Sequence, residues 1–152
     1  MRMIKAGALC VLTMLAVLTL TAQTVRPFDP YAAFPKGTTY WANERGSTIR
    51  LNNDGGGKIS GKFTTAVGCG AGVAKPLMGF YNGNSVGFVV DFGKDCPSVT
   101  SWNGTFWAGS PNRMKTLWFL TSGGVPAWNS TNAGSDQFTQ IAVAAAPAIL
   151  KQ

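Results

Sequence analysis

Between residues 38 and 143 short apolar-rich runs alternate with turn residues, and within the runs side-chain character changes with a period of two. In 114–122, Thr116, Trp118 and Leu120 share one face while Leu117 and Phe119 share the other. In 101–107, Trp102, Gly104 and Phe106 lie opposite Trp107. A strand sends successive side chains to opposite faces, so this is a strand pattern. Eight such runs are present, at 38–43, 47–52, 58–65, 76–82, 85–92, 101–107, 114–122 and 137–143. NNDGGG (52–57), NGN (82–84), GSPN (109–112) and GGVP (123–126) separate several of them. Even spacing and Gly-rich turns predict an all-β fold, an eight-stranded antiparallel up-and-down β-barrel. Eight strands suffice to close a barrel around one small ligand.

The alternation leaves apolar residues on both faces of the later strands. A lone barrel should avoid an apolar exterior, so the second face predicts a homo-oligomer, tetramer or dimer.

The ends read differently. MRMIK (1–5) is followed by an apolar run from Ala6 to Leu20 and then Thr21, Ala22 and Gln23. That is the order of a secretory signal, with Ala22 as the last residue before the cut. The run is shorter than the roughly 20 residues needed to span a bilayer, which argues against a membrane anchor. The expected organisation is a signal peptide at 1–22, an irregular proline-containing lead-in at 23–37, the barrel at 38–143 and an apolar C-terminal tail at 144–152. The product is expected to be secreted, extracellular or periplasmic, with no membrane partner after cleavage. The composition of the tail also suits a segment that folds back over an empty site.

Loss of the signal removes Cys10 and leaves Cys69 and Cys96, an even pair in an oxidising compartment. A bridge between them would contribute roughly 3–4 kcal/mol on the chain-entropy model; two free thiols are the other reading. The formal net charge of +7 falls by two when Arg2 and Lys5 leave, and the remaining basic residues are scattered. Nucleic-acid binders concentrate their charge, so no nucleic-acid partner is expected.

The chain has no histidine and only six carboxylates. No serine–histidine or cysteine–histidine catalytic pair and no His-based zinc site can form. GCGAG (68–72) has neither dinucleotide spacing nor the Lys-Ser/Thr ending of a phosphate loop. These features argue against an enzyme, a metal site or a cofactor. What remains is a set of short hydrogen-bonding side chains beside inward aromatics, which suits a barrel gripping one compact neutral-polar ligand. Asn43 and Ser47 also suit a hairpin turn, and Asp136 a strand start.

WANERGST (41–48), GKFTTAVG (61–68), SVTSWNG (98–104), TLWFLTSG (116–123) and AWNSTNAGSDQFTQ (127–140) resemble successive strands of the avidin and streptavidin family, in order and with compatible spacing. The resemblance implies a biotin site at one end of the barrel. It matches Asn43, Ser47 and Phe63 to the positions around the ureido oxygen. Asp136 and Thr65 match the residues that take the two ureido N–H groups, and Thr100 the hydroxyl near the ring sulfur. Ser98 and the loop through Val67, Gly68 and Cys69 fall near the valeryl carboxylate. Phe92, Trp102, Trp118 and Leu120 match the apolar walls, and Trp128 matches the lid that a neighbouring subunit lends in tetrameric members.

The chain departs from the family pattern at Phe63, which lacks the hydroxyl of the family's Tyr, and at Phe92, where streptavidin has a larger Trp. Cys69 and Cys96 fall in the loops that the disulfide-bridged dimeric avidins tie together. The function expected from the resemblance is non-catalytic, high-affinity sequestration of biotin. The alternative is an exported barrel that binds or inhibits a protein partner through its loops.

Overall fold

The computed structural model of the protein describes Asp29 and residues 32–151, so the expected signal segment lies outside the described residues. The strands are β1 (Gly37–Asn43), β2 (Thr48–Asn53), β3 (Lys58–Thr64), β4 (Ala74–Asn82), β5 (Ser85–Asp91), β6 (Ser98–Trp107), β7 (Arg113–Ser122) and β8 (Thr131–Ile141). Each pairs antiparallel with its sequence neighbour, and β1 pairs with β8 to close the barrel.

Most boundaries lie within a few residues of those read from the alternation. The largest difference is β8, which starts at Thr131 and not at 137, because TNAGS pairs with β7 from Thr121↔Thr131 onward. Its Asn, Gly and Ser are poor strand formers by themselves, and the neighbouring strand overrides that preference.

Alternate residues of every strand point inward and form one core. Trp41, Ile49, Leu51, Val90, Met114 and Phe138 have no exposed surface. One end of this core is sealed by the lead-in. Phe34 stacks on Trp41 at 6.1 Å between ring centroids and meets Phe106 edge-on at 5.4 Å. Its backbone is anchored on both sides: Phe34 N–H donates to the Gly83 carbonyl (3.0 Å), and Asn53 Nδ2 donates to the carbonyls of Phe34 (3.3 Å) and Pro35 (3.0 Å). The segment read as irregular is thus a plug, and it sits where β1 begins and β2 ends.

The tail does not reach the other end. Ala146 and Leu150, the latter in the short helix α1 (Ala148–Lys151), are buried against Tyr40 and Ile141. Tyr40 neighbours the inward Trp41 and therefore faces out, so the tail covers the outer surface near the β1–β8 junction. Cys69 and Cys96 form a disulfide with Cα atoms 5.7 Å apart, joining the β3–β4 loop to the β5–β6 loop.

Candidate ligand-binding site

At the end opposite Phe34 the inward positions leave a cavity of about 350 Å³. Its lining includes all of Asn43, Ser47, Phe63, Thr65, Val67, Gly68, Phe92, Ser98, Thr100, Trp102, Trp118, Leu120 and Asp136. Five strands (β1, β3, β6, β7 and β8) and three loops (β1–β2, β3–β4 and β5–β6) bring these positions together, which single-strand alternation cannot show. Trp128 is the exception: it lies in the 3-10 turn Ala127–Asn129, is 86% exposed and does not line the cavity.

The sequence reading missed Arg45 and Ser122 as lining residues. Ser122 continues the inward series Thr116, Trp118, Leu120, so alternation carries its signal. Arg45 lies in the β1–β2 turn between two cavity residues, where strand periodicity no longer applies.

The backbone dictates which polar atoms face the ligand. Asn43 Oδ1 accepts the N–H groups of Arg45 (3.1 Å) and Ser47 (2.8 Å), closing a turn that also uses Gly46 at φ +83°. Those two donors set the amide orientation and turn Nδ2 to the cavity side, where it meets the Asp136 carboxylate and has a second hydrogen to donate. Ser47 Oγ accepts the Ala66 N–H (3.1 Å), so its own proton is available to donate. Asn43 and Ser47 therefore build the turn with their acceptors and present donors inward.

Facing them are acceptors. Asp136 Oδ2 accepts the Trp102 Nε1–H at 2.9 Å, and the carboxylate also meets the Asn43 amide while keeping lone pairs on the cavity side. Thr65 Oγ1 donates to the Val67 carbonyl (2.7 Å) and accepts the Val67 N–H (3.2 Å), keeping one lone pair. Thr100 Oγ1 is buried with no hydrogen-bond partner, an arrangement that a protein core avoids and a ligand atom would satisfy.

Phe63 packs at 4.9 Å from Trp102 and meets Phe92 edge-on at 6.1 Å, so an unbroken aromatic wall stands beside the donors. Burial pushes the Asp136 carboxyl above its usual 3.8; the Trp102 indole N–H opposes this, Glu44 adds to it, and Arg45 and the Asn43 amide oppose it. Glu44 is held beside the site because its Oε2 accepts the Gln137 N–H at 2.9 Å. A raised carboxyl binds its proton more tightly in the folded protein than in the unfolded one. Its contribution to stability is therefore greatest below the unfolded value and is lost as pH rises through the folded value.

Replacing Trp102 with Phe keeps the ring and removes the indole donor. The Asp136 pKa is expected to rise further in Trp102→Phe, read from the side-chain carboxyl carbon shift of Asp136 in an NMR pH titration. An unchanged midpoint would show that the bond does not hold the carboxylate ionised.

Comparison with known proteins agrees with this geometry. The family profile described as "Avidin family" matches residues 32–141. Afifavidin from Afifella pfennigii is 36% identical over 128 residues, covering 79% of this chain and 80% of that protein. The crystal structure of a short afifavidin–biotin complex is 35% identical, with a TM-score of 0.61 over 70% of this chain and 90% of that one. A rhizavidin–biotin complex is 26% identical, with a TM-score of 0.66 over 73% of this chain and 98% of that one. On its barrel, its sequence and its relatives, the chain belongs to the avidin family, whose proteins are non-catalytic and bind biotin.

Proposed function

We propose that this protein sequesters biotin in the barrel-end cavity. The observation that carries the reading is the fixed order of donors and acceptors around the cavity. A ureido carbonyl accepts from Asn43 Nδ2 and the Ser47 hydroxyl, while the two ureido N–H groups donate to Asp136 and Thr65. Thr100 then meets the ring sulfur, which gives its buried hydroxyl a partner. Phe63, Phe92, Trp102, Trp118 and Leu120 enclose the bicyclic ring, and Ser98, Val67 and Gly68 border the acid chain.

Donors converging on a carbonyl that accumulates negative charge act in a dry cavity much as an oxyanion hole does. The carboxylate pulling on the N–H side strengthens those bonds cooperatively. No cofactor or metal takes part in this binding.

The apolar outer face supports a homo-oligomer, dimeric or tetrameric. Met78 and Phe80 on β4 and Leu117 and Phe119 on β7 are each more than half exposed, and Met78 and Phe80 line an open groove with Val89. The exposure of Trp128 in its turn supports the reading that it serves a second subunit as a lid. The apolar leader before the barrel supports export with cleavage after Ala22. Native mass spectrometry of the exported protein checks both statements: the expected particle is a multiple of a chain that begins at Gln23.

Calorimetric titration of the unreduced protein is expected to give one biotin per chain. Because only the ionised carboxylate offers Asp136 fully as an acceptor, affinity should fall as pH drops through the raised Asp136 value, approaching about tenfold per pH unit. Asp136→Asn should cost about 1.5–3 kcal/mol at neutral pH and abolish that pH dependence. No binding by folded protein would overturn the biotin reading.

Phe63→Tyr restores a third donor to the ureido oxygen. Affinity should increase by about 0.5–1.5 kcal/mol, seen as slower biotin dissociation; a faster off-rate would mean that the aromatic wall leaves no room for the hydroxyl.

A further inference from the structure

One inward row of the barrel has an unusual order of side-chain sizes. Register aligns Gly79 of β4, Phe88 of β5, Trp102 of β6, Trp118 of β7 and Gly134 of β8. Three large rings stand in sequence with a glycine at each end. Phe88 stacks on Trp102 with centroids 5.2 Å apart, so that part of the row is filled. Trp118 is only partly buried and forms a wall of the cavity.

Trp118 leans the other way, over Gly134. A Cβ built at Gly134 would meet Trp118 Cζ2 within a clash, and would stand 2.7 Å from Cε2 and 3.1 Å from Cη2. The backbone does not demand glycine here, since Gly134 is not among the residues with positive φ. Residue 134 also lies two places before Asp136 on the inward face, beside the polar groups that read the ligand. The glycine therefore supplies space, and the Trp118 indole occupies it.

We infer that Gly134 is a specificity-determining residue of the biotin site: by giving the Trp118 ring room to lie against β8, it sets the width of ligand that the cavity admits. This deepens the biotin reading and rests on it. Any side chain at 134 displaces the ring, because the Trp118 atoms nearest the new Cβ belong to a rigid indole and not to a flexible chain end. The space open to the ring is the cavity. A narrowed cavity penalises a fused two-ring ligand more than a one-ring ligand that carries the same urea and acid chain.

The test uses the full disulfide-bonded protein titrated with biotin and with dethiobiotin, which keeps the urea ring and lacks the sulfur ring. Gly134→Ala should weaken biotin binding by about 10- to 200-fold, with a distinctly smaller loss for dethiobiotin. Trp118→Phe, with its smaller ring, should make the Gly134→Ala change far less damaging, as a coupling in a double-mutant cycle. Equal losses for the two ligands in folded protein, or no coupling to Trp118→Phe, would overturn the inference. If Gly134→Ala fails to fold while the double variant folds, the clash with the indole is shown directly; if neither folds, the glycine is structural and the inference falls.

Ring displacement has its own readout without ligand, a shift of the Trp118 indole N–H resonance in Gly134→Ala. An unmoved resonance sinks the inference alone. A wild-type protein that does not bind biotin sinks the functional reading and the width claim together, even if the resonance moves.

Discussion

Closure between the first and last strands is the constraint on which the site depends. β1 meets β8 through the pairs Tyr40↔Ile141 to Asn43↔Phe138, a shorter ladder than the β7–β8 ladder that runs from Arg113↔Thr139 to Thr121↔Thr131. The polar heart of the cavity straddles this seam. Asn43 sits at its last pair, Glu44 takes the Gln137 N–H across it, and the Asn43 amide reaches the Asp136 carboxylate. In an open sheet these groups would lie at opposite edges. Closure removes the edges and, by the same act, creates the constellation.

The two ends of the barrel solve opposite problems. At one, Phe34 fills the interior and the carbonyls of Phe34 and Pro35 are satisfied by Asn53. At the other, polar groups are held ready by bonds to the backbone and to the Trp102 indole that use up part of each group's capacity. Asn43 and Ser47 spend their acceptors on the β1–β2 turn and the Ala66 N–H, while Asp136 spends one oxygen on Trp102. The remainder cannot reorient without breaking those bonds, and this preorganisation favours one donor–acceptor pattern in a ligand. The cost is visible in the raised Asp136 carboxyl and the unpartnered Thr100 hydroxyl. Burial opposes ionisation of Asp136, while binding requires it, so stability and affinity respond to pH with opposite signs.

Much of this was legible in the chain. The period-two alternation in 114–122 put Trp118 and Leu120 on one face, and that in 101–107 put Trp102 with Gly104 and Phe106, because a strand's geometry leaves no other choice; the family resemblance then marked those faces as the cavity side. Other parts were not. The lead-in carries no periodicity, so nothing local marked Phe34 as a core residue; its burial follows from packing on Trp41, Tyr81 and Phe106 at the barrel end. The last run of alternation begins at 137, while Asn, Gly and Ser stand among 131–136, and only pairing with β7 holds that stretch extended. The tail had the composition of a cover, and the surface it covers, around Tyr40, was set by the fold.

By itself the sequence determined the number and order of strands, which residues share a strand face, the pairing candidates among the cysteines and, through five motifs in register, most of the cavity residues, Arg45 and Ser122 excepted. These are local or additive properties: periodicity, turn chemistry and residue type survive in the linear chain. The tertiary structure alone decided the direction in which each polar group points, the position of the tail, and the empty space at Gly134 that the Trp118 ring occupies. These depend on distances between residues far apart in sequence, and such distances exist only once the barrel has closed.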